Sequence, residues 1–232
     1  MSALGAQRDR LAIAPHVEIL GSLLELRAPR VLELRPRTGA FGAALRARGI
    51  HAPVLLVAAD DRIARFRHPI PTHRRVEKAL MLVVCAQRYG LIVAMTRLVH
   101  FGRLPAALAR KHAAVCAVDE VLIDATRPGA KWSAILAAGV RAYREQGFAK
   151  EWKLHHQGGP MGYECRDFCV TPATSGRVGP NQLVGWNPSI TGTKSEDTIL
   201  TRASGRPPEV LTAMSDWPIL GSRADILVRA GR

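Results

Sequence analysis

Two dense stretches hold most of the side chains that could do chemistry. The first runs Leu154-His155-His156-Gln157-Gly158-Gly159-Pro160-Met161-Gly162-Tyr163-Glu164-Cys165-Arg166-Asp167. The second runs Trp186-Asn187-Pro188-Ser189-Ile190-Thr191-Gly192-Thr193-Lys194-Ser195-Glu196-Asp197-Thr198. Imidazole, carboxyl, thiol and guanidinium groups this close together supply proton carriers, donors and acceptors. Adjacent glycines let the backbone approach another group and tolerate positive φ. An ordinary polar surface loop would explain either stretch alone. Two of them, close in sequence, read as two walls of one site.

The elements that must position these walls follow from periodicity. Residues 16–28 space their apolar side chains as a helix, ended by Pro29. Thr38 can cap a second helix, Gly39 to Arg48, closed by Gly49. Pro53 to Ala58 is an apolar run of strand length; the segment after it, through Thr72, carries Pro69 and Pro71 and is expected to be extended rather than helical. Leu80–Ala86 and Leu91–Leu98 form a hairpin about the turn Gln87-Arg88-Tyr89-Gly90. Helices are expected over 104–117 and Trp132–Gln146, then strands over 160–170, 181–187, 196–203 and 208–213. The pattern is α+β, antiparallel hairpins with helices packed on one side.

The 232 residues suit one domain or two small ones, and 47% hydrophobic with 22% charged is ordinary for a globular chain. No apolar run approaches the roughly 18 residues of a membrane span, and the first residues do not form a signal peptide. Cys85, Cys116, Cys165 and Cys169 without a secretory signal point to free thiols in a reducing compartment, with a cytoplasmic location as the expectation. The net charge of +14 is uneven: +13 lies in residues 1–150 and +1 in 151–232. Of 33 basic residues 27 are Arg, scattered, and aromatics for base stacking are only 5%. A solvated Arg-rich surface is therefore favoured over a nucleic-acid site.

The hairpin Val83 to Arg97 resembles a pattern of the aminopeptidase P, prolidase and creatinase family. There an aspartate is followed by a Gly seven residues on, a second aspartate eleven on, and then x-Thr-Arg. Gly90 and Thr96-Arg97 are in register with it. Gly162 matches the Gly after the family's metal-binding His. Asn187-Pro188-Ser189 is similar to its Glu-Pro-Gly motif, and Ser195-Glu196-Asp197-Thr198 to its Ile-Glu-Asp-Thr motif. Arg67-His68-Pro69 stands where the family places a substrate-side histidine. The resemblance covers roughly residues 50–215 and implies a single pita-bread-like domain over 1–232. Residues 1–50 would be a helical lead-in, without the separate N-terminal domain of creatinase.

On this register the family's five metal ligands, Asp, Asp, His, Glu and Glu, fall on Val83, Ala94, Gly159, Asn187 and Glu196, and its later catalytic His falls on Arg166. Val, Ala and Gly offer no ligand atom, so the dinuclear metal centre is not expected. Nor is a replacement site from His155, His156, Cys165 and Cys169. Neighbouring histidines on a strand face opposite ways, and the two thiols would lie about 13 Å apart along one. Lys194 in Gly-Thr-Lys-Ser lacks a preceding G-x-x-x-x-G, which excludes a phosphate loop.

The resemblance thus implies a metal-independent, creatinase-like enzyme without cofactor. It would act on a C–N bond of a small carboxylate- or amidine-bearing substrate. His68 is the candidate acid/base. Glu196 would hold a cationic group or orient water, and one of His155 and His156 would face the pocket while the other is structural. Arg97 and Arg166 would pair with a carboxylate, Trp186 would give an apolar face, and Asn187 and Lys194 complete the binding set. A homodimer is implied by analogy. Two alternatives stand beside this reading. One is an inactive pseudo-peptidase that binds protein or nucleic acid, as metal-free pita-bread domains do in a histone-chaperone subunit. The other is an Xaa-Pro peptidase with an atypical metal site.

Overall fold

A computed structural model describes residues 40–203 and 206–230. The expected helix over 16–28 and the Thr38 cap lie outside them. Helix α1 (Ala40–Ala47) leads into β1 (His51–Ala59), and a short helix α2 (Asp61–Arg65) follows. This helix corrects the expectation of extended chain. Pro69 and Pro71 restrict themselves and the residue before each, which leaves 61–65 free to coil. Asp61 and Arg65 then pair across one turn at 3.0 Å.

β2 (Ala79–Arg88) and β3 (Leu91–Phe101) form the expected hairpin, with Val83 opposite Thr96 and Cys85 opposite Ala94. Tyr89 and Gly90 turn it with φ of 54° and 78°, the pair of positive values that a two-residue turn needs to match strand twist. The order β1-β2-β3 is extended by β12 (Leu227–Arg229), which runs parallel to β3. Both faces of this sheet are covered, which is why β2 and β3 read as unbroken apolar runs. Leu82, Val84, Val93 and Met95 pack beneath α1 and Trp217. Val83, Cys85, Ala94 and Thr96 line the opposite face, inferred from their cross-strand pairing.

Helices α3 (Ala106–Ala125) and α4 (Trp132–Glu145) pack together and against a second sheet. That sheet is antiparallel, in the order β4 (Gly158–Met161), β5 (Leu183–Trp186), β8 (Asp197–Leu200), β9 (Glu209–Val210). Two small ribbons, β6 (Ser189–Ile190) with β7 (Thr193–Lys194) and β10 (Ile219–Leu220) with β11 (Arg223–Ala224), complete the described strands. α3 runs past the expected residue 117 because Val118, Leu122 and Ile123 continue its buried face. The strand expected over 160–170 stops at Met161 instead. From Gly162 the chain doubles back along β4, where Asp167 N donates to Pro160 O and Val170 N to Gly158 O. Among the described residues no helix is long and apolar enough to cross a membrane.

Candidate active site

The two sheets meet where β3 crosses β8. Thr96 N donates to Glu196 O at 3.1 Å, Ala94 N to the Thr198 hydroxyl at 2.7 Å, and that hydroxyl to Ala94 O at 2.8 Å. This crossing places the Glu196 carboxylate, 2% exposed, on the Thr96 face of the first sheet. Three groups converge on it. The Thr96 hydroxyl donates to Oε2 at 2.6 Å, Lys194 Nζ lies 2.8 Å from Oε2, and Arg166 Nη2 lies 2.9 Å from Oε1. Burial alone would raise the Glu196 carboxyl, but the charges of Lys194 and Arg166 and the two hydrogen bonds outweigh it and hold it at about 2. The two walls read from the sequence therefore meet at one carboxylate, with Arg166 from the first and Lys194 and Glu196 from the second.

Beside this cluster stand three imidazoles. His68 Nε2 and His155 Nε2 are 3.1 Å apart, and the rings of His155 and His156 stack with centroids at 4.3 Å. His68 lies 4.8 Å from His155 and 5.8 Å from His156 by ring centroid. The expectation that one of His155 and His156 would turn away is overturned. They are not on a strand but follow a 3-10 turn (Glu151–Leu154) and precede β4. The Gln157 amide curls this segment by donating to Trp152 O and His155 O. Burial, then the Lys194 charge, lowers His155 to about 2; burial, then Arg166, lowers His156 to about 4; burial and Lys194 also lower His68. Burial thus disfavours the charged form of all three.

The residues behind these histidines carried no local sequence signal. Glu151, which opens the 3-10 turn, accepts from Arg67 Nη2 at 2.7 Å and from Thr191 N at 3.0 Å. The same arginine reaches Ser189 and Thr191 hydroxyls. One carboxylate thus ties the loop of His68 to the loop of His155 and His156. The far end of the His68 loop is pinned by Asp60, whose carboxylate accepts from the backbone N–H groups of Glu77, Lys78 and Ala79.

Two expected site residues, Arg97 and Trp186, are turned to other work. Arg97 is 2% exposed and spends its guanidinium on Asp197, Thr96 O and Thr212 O, so it joins strands rather than meeting substrate. Trp186 is fully buried against Trp132, and its indole N–H donates to Thr126 Oγ1; it ends β5, and its residue type gave no sign of which sheet face it would take. Asn187 is also buried, with no hydrogen-bond partner for Oδ1. Cys165 is off any strand and packs toward Cys85, whereas Cys169 is exposed. A hydrogen bond from Cys85, helped by the Arg166 charge, lowers the Cys165 thiol to about 7 against the effect of burial, while Cys85 is pushed up.

A groove of about 520 Å³ between Gly90, Gly162, Asp167 and Arg177 contains none of these catalytic candidates.

The donor set does not fit a dinuclear metal centre of the kind the sequence resemblance brings to mind. Val83 and Ala94 are buried and apolar. A Cβ at Gly159 would meet the Phe168 carbonyl oxygen at 2.2 Å, so the doubled-back chain fills the space a histidine would need. Asn187 offers one neutral amide oxygen and Glu196 one carboxylate, whose oxygens two cationic side chains already occupy.

The model for metallopeptidase family M24 matches residues 45–203. No curated protein sequence matches. Among solved structures, the dipeptidase PepE from Mycobacterium ulcerans is similar with a TM-score of 0.81 at 15% identity, covering 99% of this chain and 61% of that one. The X-Pro aminopeptidase from Thermotoga maritima gives 0.77 at 17%, covering 99% and 64%. The N-terminal domain of FACT complex subunit SPT16 from chickpea gives 0.70 at 10%, covering 93% and 59%. The chain therefore spans about three fifths of the length of the structures it matches. With its α+β pita-bread fold and its matched residues, the chain belongs to metallopeptidase family M24.

Proposed function

We propose that this protein is a hydrolase of the M24 fold that works without the family's dinuclear centre, cleaving a C–N bond in a small carboxylate-bearing substrate. The observation that carries this reading is the Lys194–Glu196–Arg166 cluster beside three converging imidazoles. Its two cations and one anion leave a net positive charge, which favours an anionic substrate group over an amidine. Arg166 and Lys194 would hold that carboxylate, and the Glu196 carboxylate would fix both cations in place.

His68, the most exposed of the three histidines, would take the proton of a water as its oxygen attacks the carbon of the C–N bond. It would then return that proton to the departing nitrogen, so that the imidazole ends as it began. His155, at 3.1 Å from His68, would orient the ring that does this work.

The test is turnover against a panel of guanidino acids, N-acyl amino acids and Xaa-Pro dipeptides, after exhaustive chelation. Hydrolysis that survives chelation and falls at least about 100-fold in His68→Gln, the scale of acid/base catalysis, supports the reading. Undiminished turnover in His68→Gln overturns the assignment.

A second reading is favoured by the likeness to the SPT16 domain and by the missing ligands: a binding module that uses the same cationic pocket without catalysis. No turnover on any panel member, with carboxylate binding that is lost in Lys194→Met, would select it. A homodimer belongs to the proposal only by analogy, and size measurement in solution decides it.

A further inference from the structure

His68 and the pair His155-His156 reach one point from segments 87 residues apart. The ligating atoms of the three rings all lie within 4.8 Å of one another. One pair, His68 Nε2 and His155 Nε2, is already at 3.1 Å. Two ring nitrogens that face each other at this distance share at most one proton, so at least one lone pair points into the space between the rings. The Nδ1 atoms of His155 and His156 are buried without any hydrogen-bond partner. Three imidazoles pointing into one space, with unspent nitrogen atoms, are more than a proton relay needs.

We propose that His68, His155 and His156 form a site for one divalent transition-metal ion of the zinc class, at a position separate from the family's dinuclear centre. An all-imidazole set selects zinc, copper or nickel over magnesium and calcium, which prefer oxygen. Zinc–nitrogen bonds of about 2.0–2.1 Å in a tetrahedron put ligand nitrogens roughly 3.3 Å apart. The His68–His155 pair meets that spacing, and from a separation of at most 4.8 Å a side-chain shift of about 1.5 Å brings His156 to it.

The supporting frame exists without the ion. Glu151 binds Arg67, next to His68, and begins the turn that ends at His155, so both ligand-bearing segments hang from one carboxylate. With three protein ligands, a fourth position would be left for an outside ligand. Lys194 and Arg166 stand nearby with Glu196 between them, a net positive surround that weakens cation binding and favours an anion as the fourth ligand. Chloride, carboxylate or phosphate should therefore tighten the metal.

The inference rests on the proposed function in one respect only. Imidazoles that ligate an ion cannot accept the water proton, so zinc and metal-free turnover exclude each other, and zinc acts on this site as an inhibitor.

The experiment is titration of the full chain with Zn²⁺ and with Co²⁺, whose visible spectrum reports tetrahedral nitrogen coordination. We expect one equivalent of Zn²⁺, a tetrahedral Co²⁺ spectrum, and at least a tenfold loss of affinity in each of His68→Gln, His155→Gln and His156→Gln. His73→Gln, at an exposed histidine outside the cluster, should bind as the parent does. Thermal unfolding of each variant separates lost ligation from lost fold, and Co²⁺ spectra of the folded variants read the site directly. No stoichiometric binding, or binding unchanged in a folded His155→Gln/His156→Gln variant, overturns the proposal. Metal binding is read without substrate and turnover on the metal-free protein, so one bound equivalent with no turnover in the metal-free protein retires the hydrolase reading alone, and metal-free turnover without metal binding retires the metal site alone.

Discussion

Lys194 Nζ stands 2.8 Å from Glu196 Oε2, and both side chains are almost fully buried. Arg166 holds the other carboxylate oxygen at 2.9 Å. Removing one partner of such a cluster leaves an uncompensated charge, which costs about 3–5 kcal/mol. Glu196→Gln, which leaves Lys194 and Arg166 without their anion, should therefore lower the unfolding free energy by that amount, and Lys194→Met, which leaves Glu196 paired with Arg166, should lower it by less. The double variant Lys194→Met/Glu196→Gln should lose less than the sum of the two single changes, because its members share one network. Denaturant unfolding of the four proteins measures the coupling.

Gly159 makes a separate prediction. Its missing side chain faces the Phe168 carbonyl oxygen, which an added Cβ would approach to 2.2 Å. Gly159→Ala forces the 162–170 segment off β4 and should destabilise by about 2–3 kcal/mol, at the upper end for an overpacked interior. A drop of less than about half of that in thermal or denaturant unfolding would mean that the segment yields easily.

The histidines set an acid limit. His155 and His156 titrate at about 2 and about 4 in the folded chain and near 6.5 when unfolded. Above pH 6.5 both states are neutral and the full stability is present. As pH falls below that value the unfolded chain takes up protons that the folded chain refuses, so stability drops, and for His156 it goes on dropping down to about pH 4. Glu196, lowered to about 2, adds a further loss below its ordinary value of 4.5. The melting temperature of the parent should fall across this window, and that of His155→Gln/His156→Gln should fall less steeply.

The hairpin turn offers a gain. Tyr89 takes a φ of 54°, which asparagine adopts at less cost than tyrosine. Tyr89 is also exposed, at 79%. Tyr89→Asn should raise stability by up to about 1 kcal/mol, seen as a higher denaturant midpoint with an unchanged slope.

Much of the frame was legible from local pattern. The β2–β3 hairpin, its turn at Tyr89-Gly90 and the helix from Trp132 follow from periodicity and from glycine, because both act over a few residues. The order of weak motifs was enough to suggest the family, and the loss of its ligands at Val83, Ala94 and Gly159 could be read directly from residue type. Neighbouring-strand logic failed at His155 and His156, since the bonds of Gln157 that curl their segment are not visible in an apolar/polar pattern. It failed likewise at residues 162–170, which look like a strand but double back.

What the amino-acid sequence determined by itself is the set of available groups: which side chains can carry a proton, a charge or a metal, and which cannot. Only the tertiary structure decided their company. Arg97 and Arg166 are the same residue type, yet one is spent joining strands and the other stands on Glu196. His68 meets His155 because Glu151 binds Arg67 across 84 residues. Contacts of that span depend on how two sheets cross, which a short window of sequence does not encode.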